Sequence, residues 1–413
     1  MHILFLTDNF PPEVNAPASR TFEHCREWVR SGCKVTIITC APNFPRGRVF
    51  DGYRNRLWQE EDKDGIRVIR VWSYITANEG FLLRILDYIS YMITASFASL
   101  FVRKVDVVVG TSPQFFTACA AFFVGTMKRR PWVFELRDIW PESIRAVGAM
   151  QDSAALRFLE KVELFLYRKS KMIVAVTNAF RNNLVKRGID PDKIKVITNG
   201  ADTGRFKPRE KDAALVAEFG LEGKFVVGYV GTHGMAHALG TLLDAARLCR
   251  ARDAADTQIQ FILLGVGSEK AGLVQRAREE GLDNVIFIDS VAKDQVARYW
   301  SLLDASIIHL KRTELFRTVI PSKLFESMAM GIPVLLGVEG ESADIVKRET
   351  VGIAFQPENP EELSQAVMTL ADDAALRQTL SRNGTTAAHQ FDRSVLARNM
   401  LELLQDAAGS EIR

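Results

Sequence analysis

A chain of 413 residues, 47% hydrophobic and 25% charged, has an ordinary globular composition and is too long for one hydrophobic core, so two domains are expected. A formal net charge of +3 is too weak a bias to suggest nucleic acid as a partner. Five cysteines, Cys25, Cys33, Cys40, Cys119 and Cys249, form no CxxC pair; they argue against a disulfide scaffold or zinc site and fit a reducing cytoplasm.

The chain opens on "HILFLTD", an apolar run with no basic leader and too short for a signal peptide; it is expected to be a first buried strand. A helix is expected around Ala18–Arg30, then a strand over "KVTIITC" (34–40). The charged stretch 59–65 reads as a loop before the strand "IRVIRVW" (66–72). Residues 81–102 are mostly apolar and aromatic but include Arg84 and Asp87. Central charges are costly in a span, so a packed helix, part-exposed at a membrane interface, is expected. A second apolar run, 115–132, ends in Lys128, Arg129 and Arg130 before Pro131. Strands are expected over 105–112, 131–138, 171–177 and 194–200. Continuous β-branched runs separated by helices imply parallel strands covered on both faces.

"NGADTGRFKPRE" (199–210) breaks the periodicity, and α/β alternation then restarts. Strands are expected in 224–234, 259–269, "NVIFIDSV", "DASIIHL", "IPVLLG" and "VGIAFQP", with one long helical stretch over 360–384. In "RTVIPSKLFESMAMGIPVL" (317–335), Ser322 is placed to cap a helix that Gly331 stops.

In open α/β sheets the ligand lies outside the carboxyl ends of the strands. In the second half those ends are 231–234, 265–270, 289–292 (with Ser290 and Val291) and the turn before Ser322. Gly231, Gly265 and Gly267 let a ligand approach the backbone, and a following helix N-terminus favours an anion. "GVGSEK" is not GxGxxG, because Lys270 takes the third glycine's place; alone it suits packing as well as binding. Several such ends with Lys323 nearby point to a diphosphate. In the first half the ends are 8–12, 111–114 and 137–142. Arg137 and Asp138 in "ELRDIWPES" are expensive to bury unless paired with each other or used. Asn15, Ser19 and Arg20 in one loop and helix start, and Ser112 at another strand end, suit a hydroxyl-rich ligand. His233 and His237 lie beside the proposed phosphates, and no metal cluster is visible.

"IPSKLFESMAMGIPVLL" closely resembles the donor motif of family-4 retaining glycosyltransferases, "KIKVITNGADTGRFKP" their interdomain segment, and "FLTDNFPPEVNAPASR" their N-terminal loop. "DIWPES" and "YVGTHGMA" are similar to bacterial N-acetyl-L-fucosaminyltransferases of surface-polysaccharide (O-antigen or capsule) assembly. The resemblance implies the GT-B fold, an α/β architecture of two Rossmann-like doubly wound domains facing across a cleft. The acceptor-side domain would span 1–199 and the nucleotide-sugar domain 200–384, with 385–413 a helix crossing back. It implies a UDP-sugar donor, retention of configuration, no required metal or cofactor, and a lipid-linked acceptor at the cytoplasmic face of the inner membrane. Glu326 matches the acid that binds the donor ribose. The family's first acid, eight positions earlier, is replaced by Thr318. That suggests an N-acetylated deoxyhexosamine donor such as N-acetyl-L-fucosamine, or weak activity. Asp138 falls where relatives carry an active-site histidine, and phosphate contacts would rest on Lys323, Arg317 and helix ends. The competing expectations are a UDP-sugar 2-epimerase and a non-catalytic partner subunit.

Overall fold

Each half of the chain builds its own sheet. The computed structural model describes residues 1–44, 46–76, 81–139, 154–251 and 258–409; Trp140, Pro141 and Glu142 of "DIWPES" lie outside them. One unit comprises Met1–Thr198 together with the segment that begins at Arg393, and the other Asn199–Asp392. Residues 385–392 therefore stay with the second unit, and the return to the first starts later than the sequence suggested.

The first unit's strands are β1 (His2–Leu6), β2 (Lys34–Cys40), β3 (Gln59–Lys63), β4 (Ile66–Val71), β5 (Val107–Thr111), β6 (Trp132–Leu136), β7 (Met172–Ala175) and β8 (Ile194–Val196). Their order is β3-β4-β2-β1-β5-β6-β7-β8. Alternate residues face opposite sides. Leu4, Leu6 and Ile38 pack under helices α2 (Phe81–Leu100), α3 (Phe115–Lys128) and α4 (Ala154–Lys169). Ile3, Phe5 and Ile37 pack under α1 (Ala16–Arg30) and the last helix, α14 (Arg393–Ala408). The Trp28 indole N–H donates to Ala397 O at 2.7 Å, which fixes α14 on α1. Helix α5 (Asn178–Lys186) joins β7 to β8.

The stretch expected as a loop at 59–65 contains strand β3, antiparallel to β4. Asp64 and Gly65, with φ of 55° and 79°, make the two-residue turn between them. "QEEDK" has no apolar run because β3 is an edge strand whose acids pair across the ladder, Glu60 with Arg67 and Glu61 with Arg70.

The second unit holds β9 (Phe225–Val230), β10 (Ile259–Leu264), β11 (Val285–Ile288), β12 (Ala305–His309), β13 (Val334–Gly337) and β14 (Gly352–Ala354), all parallel, in the order β11-β10-β9-β12-β13-β14. Its helices are α6 (Ala213–Phe219), α7 (Gly240–Ala251), α8 (Lys270–Glu279), α9 (Val296–Trp300), α10 (Lys323–Met330), α11 (Glu341–Glu349), α12 (Pro360–Asp372) and α13 (Ala374–Ala388). The helical stretch expected over 360–384 is broken at Asp373, whose carboxylate caps α13 by accepting from Leu376 N–H at 2.8 Å.

Both sheets reverse strand order once beside their first strand, between β1 and β5 and between β9 and β12. Such switch points leave a crevice at the carboxyl ends, because the flanking connections leave in opposite directions.

Candidate functional site

At the second unit's switch point the backbone itself forms the wall. Gly231 follows β9 and Gly265 follows β10, both at φ 149°. A Cβ on Gly265 would collide with the Gly231 carbonyl, one on Gly267 with the His233 backbone, and one on Gly231 with the end of the Lys323 side chain. The two turns are laced by Gly231 N–H to Leu264 O (2.8 Å) and His233 N–H to Val266 O (2.9 Å). Glycine is thus required here by close approach as well as by backbone angle.

Lys323, the first residue of α10, reaches back to this wall. Its ammonium lies 4.9 Å from the centre of the Tyr229 ring and 3.5 Å from its hydroxyl. Burial lowers its pKa, and the charge of Glu326, one turn on, opposes that shift. No carboxylate among the described residues pairs with it within 4.0 Å. Ser322, expected as a side-chain cap, already has helical φ and ψ of −58° and −25° and makes no cap bond. The α10 N-terminus therefore has no side-chain oxygen closing it.

Other sequence candidates in this unit are differently employed. The Lys270 ammonium donates to Gly265 O (2.8 Å), Ile288 O (3.0 Å) and Asp289 Oδ1 (2.6 Å), tying two strand ends together. Arg317 pairs with Glu314 (3.0 Å) and lies 3.7 Å from Glu339. Thr318 turns its hydroxyl to Leu315 O at 2.7 Å. Ser290 is exposed, and Val291 packs against the unit's core. His233 is fully buried, and neither ring nitrogen has a hydrogen-bond partner among the described residues. Burial pushes its pKa down to about 4, with Lys270 and Lys323 adding to the effect. His237 is also lowered to about 4, by burial first and then Lys323. Both rings are neutral near pH 7, so they add no positive charge beside the proposed phosphates.

The first unit's switch point is built from side chains. Asp8, just past β1, accepts from the side-chain amides of Asn9 and of Gln114, which follows β5. That bridge spans the switch point. A pocket of about 460 Å³ opens beside it, where Asp8, Glu13 and Asp87 meet Arg84 and Tyr88. Glu13 is 3% exposed. Its Oε1 accepts from Asn43 N–H and Phe44 N–H, both at 2.8 Å, while Oε2 has no partner among the described residues. Burial raises the Glu13 pKa, pushes Asp8 up to about 7 and lifts Asp87 to about 6. Asn15 lines the same pocket, caps α1 by accepting from Ala18 N–H at 2.8 Å, and donates to Asn9.

Asp138 follows β6, next to β5. Ser112 Oγ accepts from the Arg137 and Asp138 N–H groups at 2.7 and 3.1 Å, which fixes that strand end. The carboxylates that act on the Arg137 guanidinium are those of Glu135 and Asp8, and burial lowers its pKa to about 10. Arg20, expected on the sugar side, is buried. It pairs with Glu135 (3.0 Å) and donates to Thr198 O (2.7 Å) and Ile197 O (3.1 Å). Ser19 is buried within α1. Sequence reasoning placed Asp8 at a strand end and noted Asp87 in its apolar helix without giving either a role, and it passed over Glu13 and Glu135. Their signal was an acid beside or inside an apolar run, where burial must be compensated.

Residues 15–200 match the family model described as glycosyl transferase 4-like domain, and residues 213–387 the one described as glycosyl transferases group 1. Over 99% of this chain and 100% of the other, the sequence is 22% identical to WcaI of Escherichia coli K12, named as a colanic acid biosynthesis glycosyl transferase. Among solved structures, a sucrose-phosphate synthase from Thermosynechococcus elongatus superposes with a TM-score of 0.73 at 15% identity, covering 99% of this chain and 100% of that one. Anabaena HepE in complex with UDP-glucose superposes at 0.70 and 19% identity, covering 98% and 100%. At such identities the structural likeness speaks to the fold.

Proposed function

The chain belongs to the glycosyltransferases built from a 4-like domain followed by a group 1 domain, and from that premise we propose that it moves a sugar from a UDP-sugar to a polyprenyl-diphosphate-linked saccharide. The setting is bacterial surface-polysaccharide assembly, and the anomeric configuration is retained. The observation that carries this reading is the Lys323 ammonium beside the glycine wall of the second unit, without a carboxylate partner among the described residues. A half-buried cation of that kind is stabilised by an arriving anion.

In this reading the donor diphosphate lies against Gly231, Gly265, Gly267 and the start of α10, where amides and Lys323 hold it. The same contacts favour the charge that grows on the leaving phosphate when its bond to the sugar breaks. Glu326 accepts the two ribose hydroxyls. Asp138 acts at the reacting sugar or on the acceptor hydroxyl's proton. The acid-lined pocket of the first unit receives hydroxyls of the acceptor, since three carboxylates offer acceptors and repel a second phosphate. The transferred sugar is an N-acetylated deoxyhexosamine, a choice supported by Thr318 in place of an acid. The UDP-glucose held by HepE and the colanic acid role in WcaI's name lend support to the donor and the setting.

The test is product analysis with a panel of UDP-sugars, with and without a lipid-linked acceptor, beside a thermal-shift screen of the same nucleotides. The expected result is UDP release that depends on acceptor, with the best donor raising Tm most. Free sugar nucleotide epimerised at C2 would establish the 2-epimerase instead, and binding without turnover a partner subunit.

A further inference from the structure

A second feature of the first unit lies at the other end of its sheet, where β6 and β7 begin. A groove of about 630 Å³ runs between the end of α3, the start of β6 and the α4–β7 junction. Arg129, Arg130, Lys169 and Lys171 line it together with Trp132 and Phe122. The four cations are exposed, and among the described residues no carboxylate pairs with any of them.

Local backbone geometry assembles the cluster. α3 ends in a left-handed residue, Arg129 at φ 53°, whose N–H returns to Thr126 O at 3.1 Å while Arg130 N–H returns to Gly125 O at 2.9 Å. The Trp132 indole donates to Lys169 O at 3.2 Å, and Lys171 N–H donates to Trp132 O at 2.9 Å. These bonds bring the second pair of cations beside the first. Lys128, which the sequence grouped with Arg129 and Arg130, is turned away: its ammonium donates to Val102 O at 2.7 Å and Leu100 O at 3.3 Å.

The helices beside the groove are apolar on their outer side. Ile93, Phe97 and Phe101 are exposed at i, i+4 and i+8 on and just after α2, Phe123 and Met127 at i and i+4 on α3, and Phe158 and Phe165 at i and i+7 on α4. Phe97 and Phe158 are each 64% exposed. Phe122 of α3 meets Phe165 of α4 at 5.3 Å, and within the α2 stripe Phe97 meets Phe101 at 5.2 Å. Leu83 and Leu86 extend the exposure to the start of α2, where Arg84 and Asp87 line the acidic pocket. No described helix is long and apolar enough to cross a membrane.

We propose that this helix layer lies on an anionic lipid surface. The four-cation groove takes the phosphate of a lipid headgroup, and the exposed side chains of α2, α3 and α4 enter the acyl boundary. The occupant follows from the pairing of features. Guanidinium forks suit phosphate oxygens, but free phosphate or nucleic acid would leave the apolar stripes in water. A lipid surface satisfies both at once. A helix the length of α2 spans about 30 Å, so the same layer would bring the acidic pocket's rim to the membrane, where a lipid-linked acceptor resides. Only that last point rests on the transferase reading; vesicle binding needs neither donor nor acceptor.

The test is co-sedimentation of the full chain with phosphatidylcholine vesicles, with and without phosphatidylglycerol. Binding should require phosphatidylglycerol and weaken as salt rises. The double variants R129E/R130E and K169E/K171E should each weaken it by about tenfold or more. K207E/R209E, the same charge change at exposed positions of the second unit, should not. F123S/M127S should weaken it without changing the salt dependence. Melting curves and the UDP-induced shift in Tm verify folding, and R129Q/R130Q replaces any variant that fails to fold. Equal binding to both vesicle types, indifference to both charge reversals, an equal loss in K207E/R209E, or displacement by millimolar inorganic phosphate would each overturn the proposal.

Discussion

The two switch points share a topology and differ in almost everything placed on it. In the second unit glycines press backbone against backbone, and the Lys323 ammonium reaches the wall with no carboxylate paired to it among the described residues. In the first unit Asp8, Glu13 and Asp87 surround a pocket with Arg84. The parallel sheet decides where a ligand can lie. The residues after each strand decide which ligand is welcome. Half-buried positive charge with no carboxylate paired to it calls for an anion, whereas crowded carboxylates with raised pKa values call for hydrogen-bond donors.

Five substitutions probe that contrast. The largest effect is expected at Asp138. Asp138→Asn should lower kcat by roughly 100-fold or more, the range of general acid–base contributions, with UDP affinity little changed. A large fall in Tm with near-normal kcat would make Asp138 a structural residue. Next, Lys323→Met keeps the side-chain stem and removes the charge. UDP affinity, measured by calorimetry, should drop by about 10- to 100-fold, the worth of a hydrogen bond to a charged group. Lys270→Met should change it far less, because that ammonium already serves Asp289 and two carbonyls. Equal losses at the two lysines would erase the distinction between them.

Glu326→Gln should raise the donor KM about tenfold. The loss should shrink when the UDP-sugar is replaced by its 2′-deoxyuridine analogue, since the clamp on two vicinal hydroxyls is then already broken. An unchanged KM in a folded variant removes Glu326 from the ribose.

The smallest effect concerns pH. Burial raises Asp8 from 3.8 to about 7 in the folded chain. The folded state therefore binds a proton that the unfolded state releases between about pH 4 and pH 7. The group's stabilising contribution is complete below that window and is lost as pH rises through about 7. Asp8→Asn removes this titration. Its Tm relative to the parent should climb from about pH 5 to about pH 8, and two parallel curves would show that Asp8 does not titrate there.

Sequence determined much of this protein. Periodicity located most strands, because a parallel strand buried on both faces must be a continuous apolar run, as in "KVTIITC" and "FVVGYV". It missed β3, whose two glutamates pair with Arg67 and Arg70 across the ladder. The glycine turns and the lysine and glutamate of α10 were also legible, since helix starts and close backbone approach have local residue signatures. What each charge does was decided by tertiary structure. Lys323 and Lys270 look alike in sequence, yet among the described residues no carboxylate pairs with the first, and the second is tied to Asp289. Lys128 and Arg129 are neighbours, yet one donates to the end of α2 and the other lines a groove. Arg20 stands at a polar helix start, yet its guanidinium is buried against Glu135, more than a hundred residues away in the chain. The physical reason is common to all. Helices and strands are local patterns, whereas the state of a charge depends on how far it is removed from water and on which partner the fold brings to it. Both are set by residues distant in the chain.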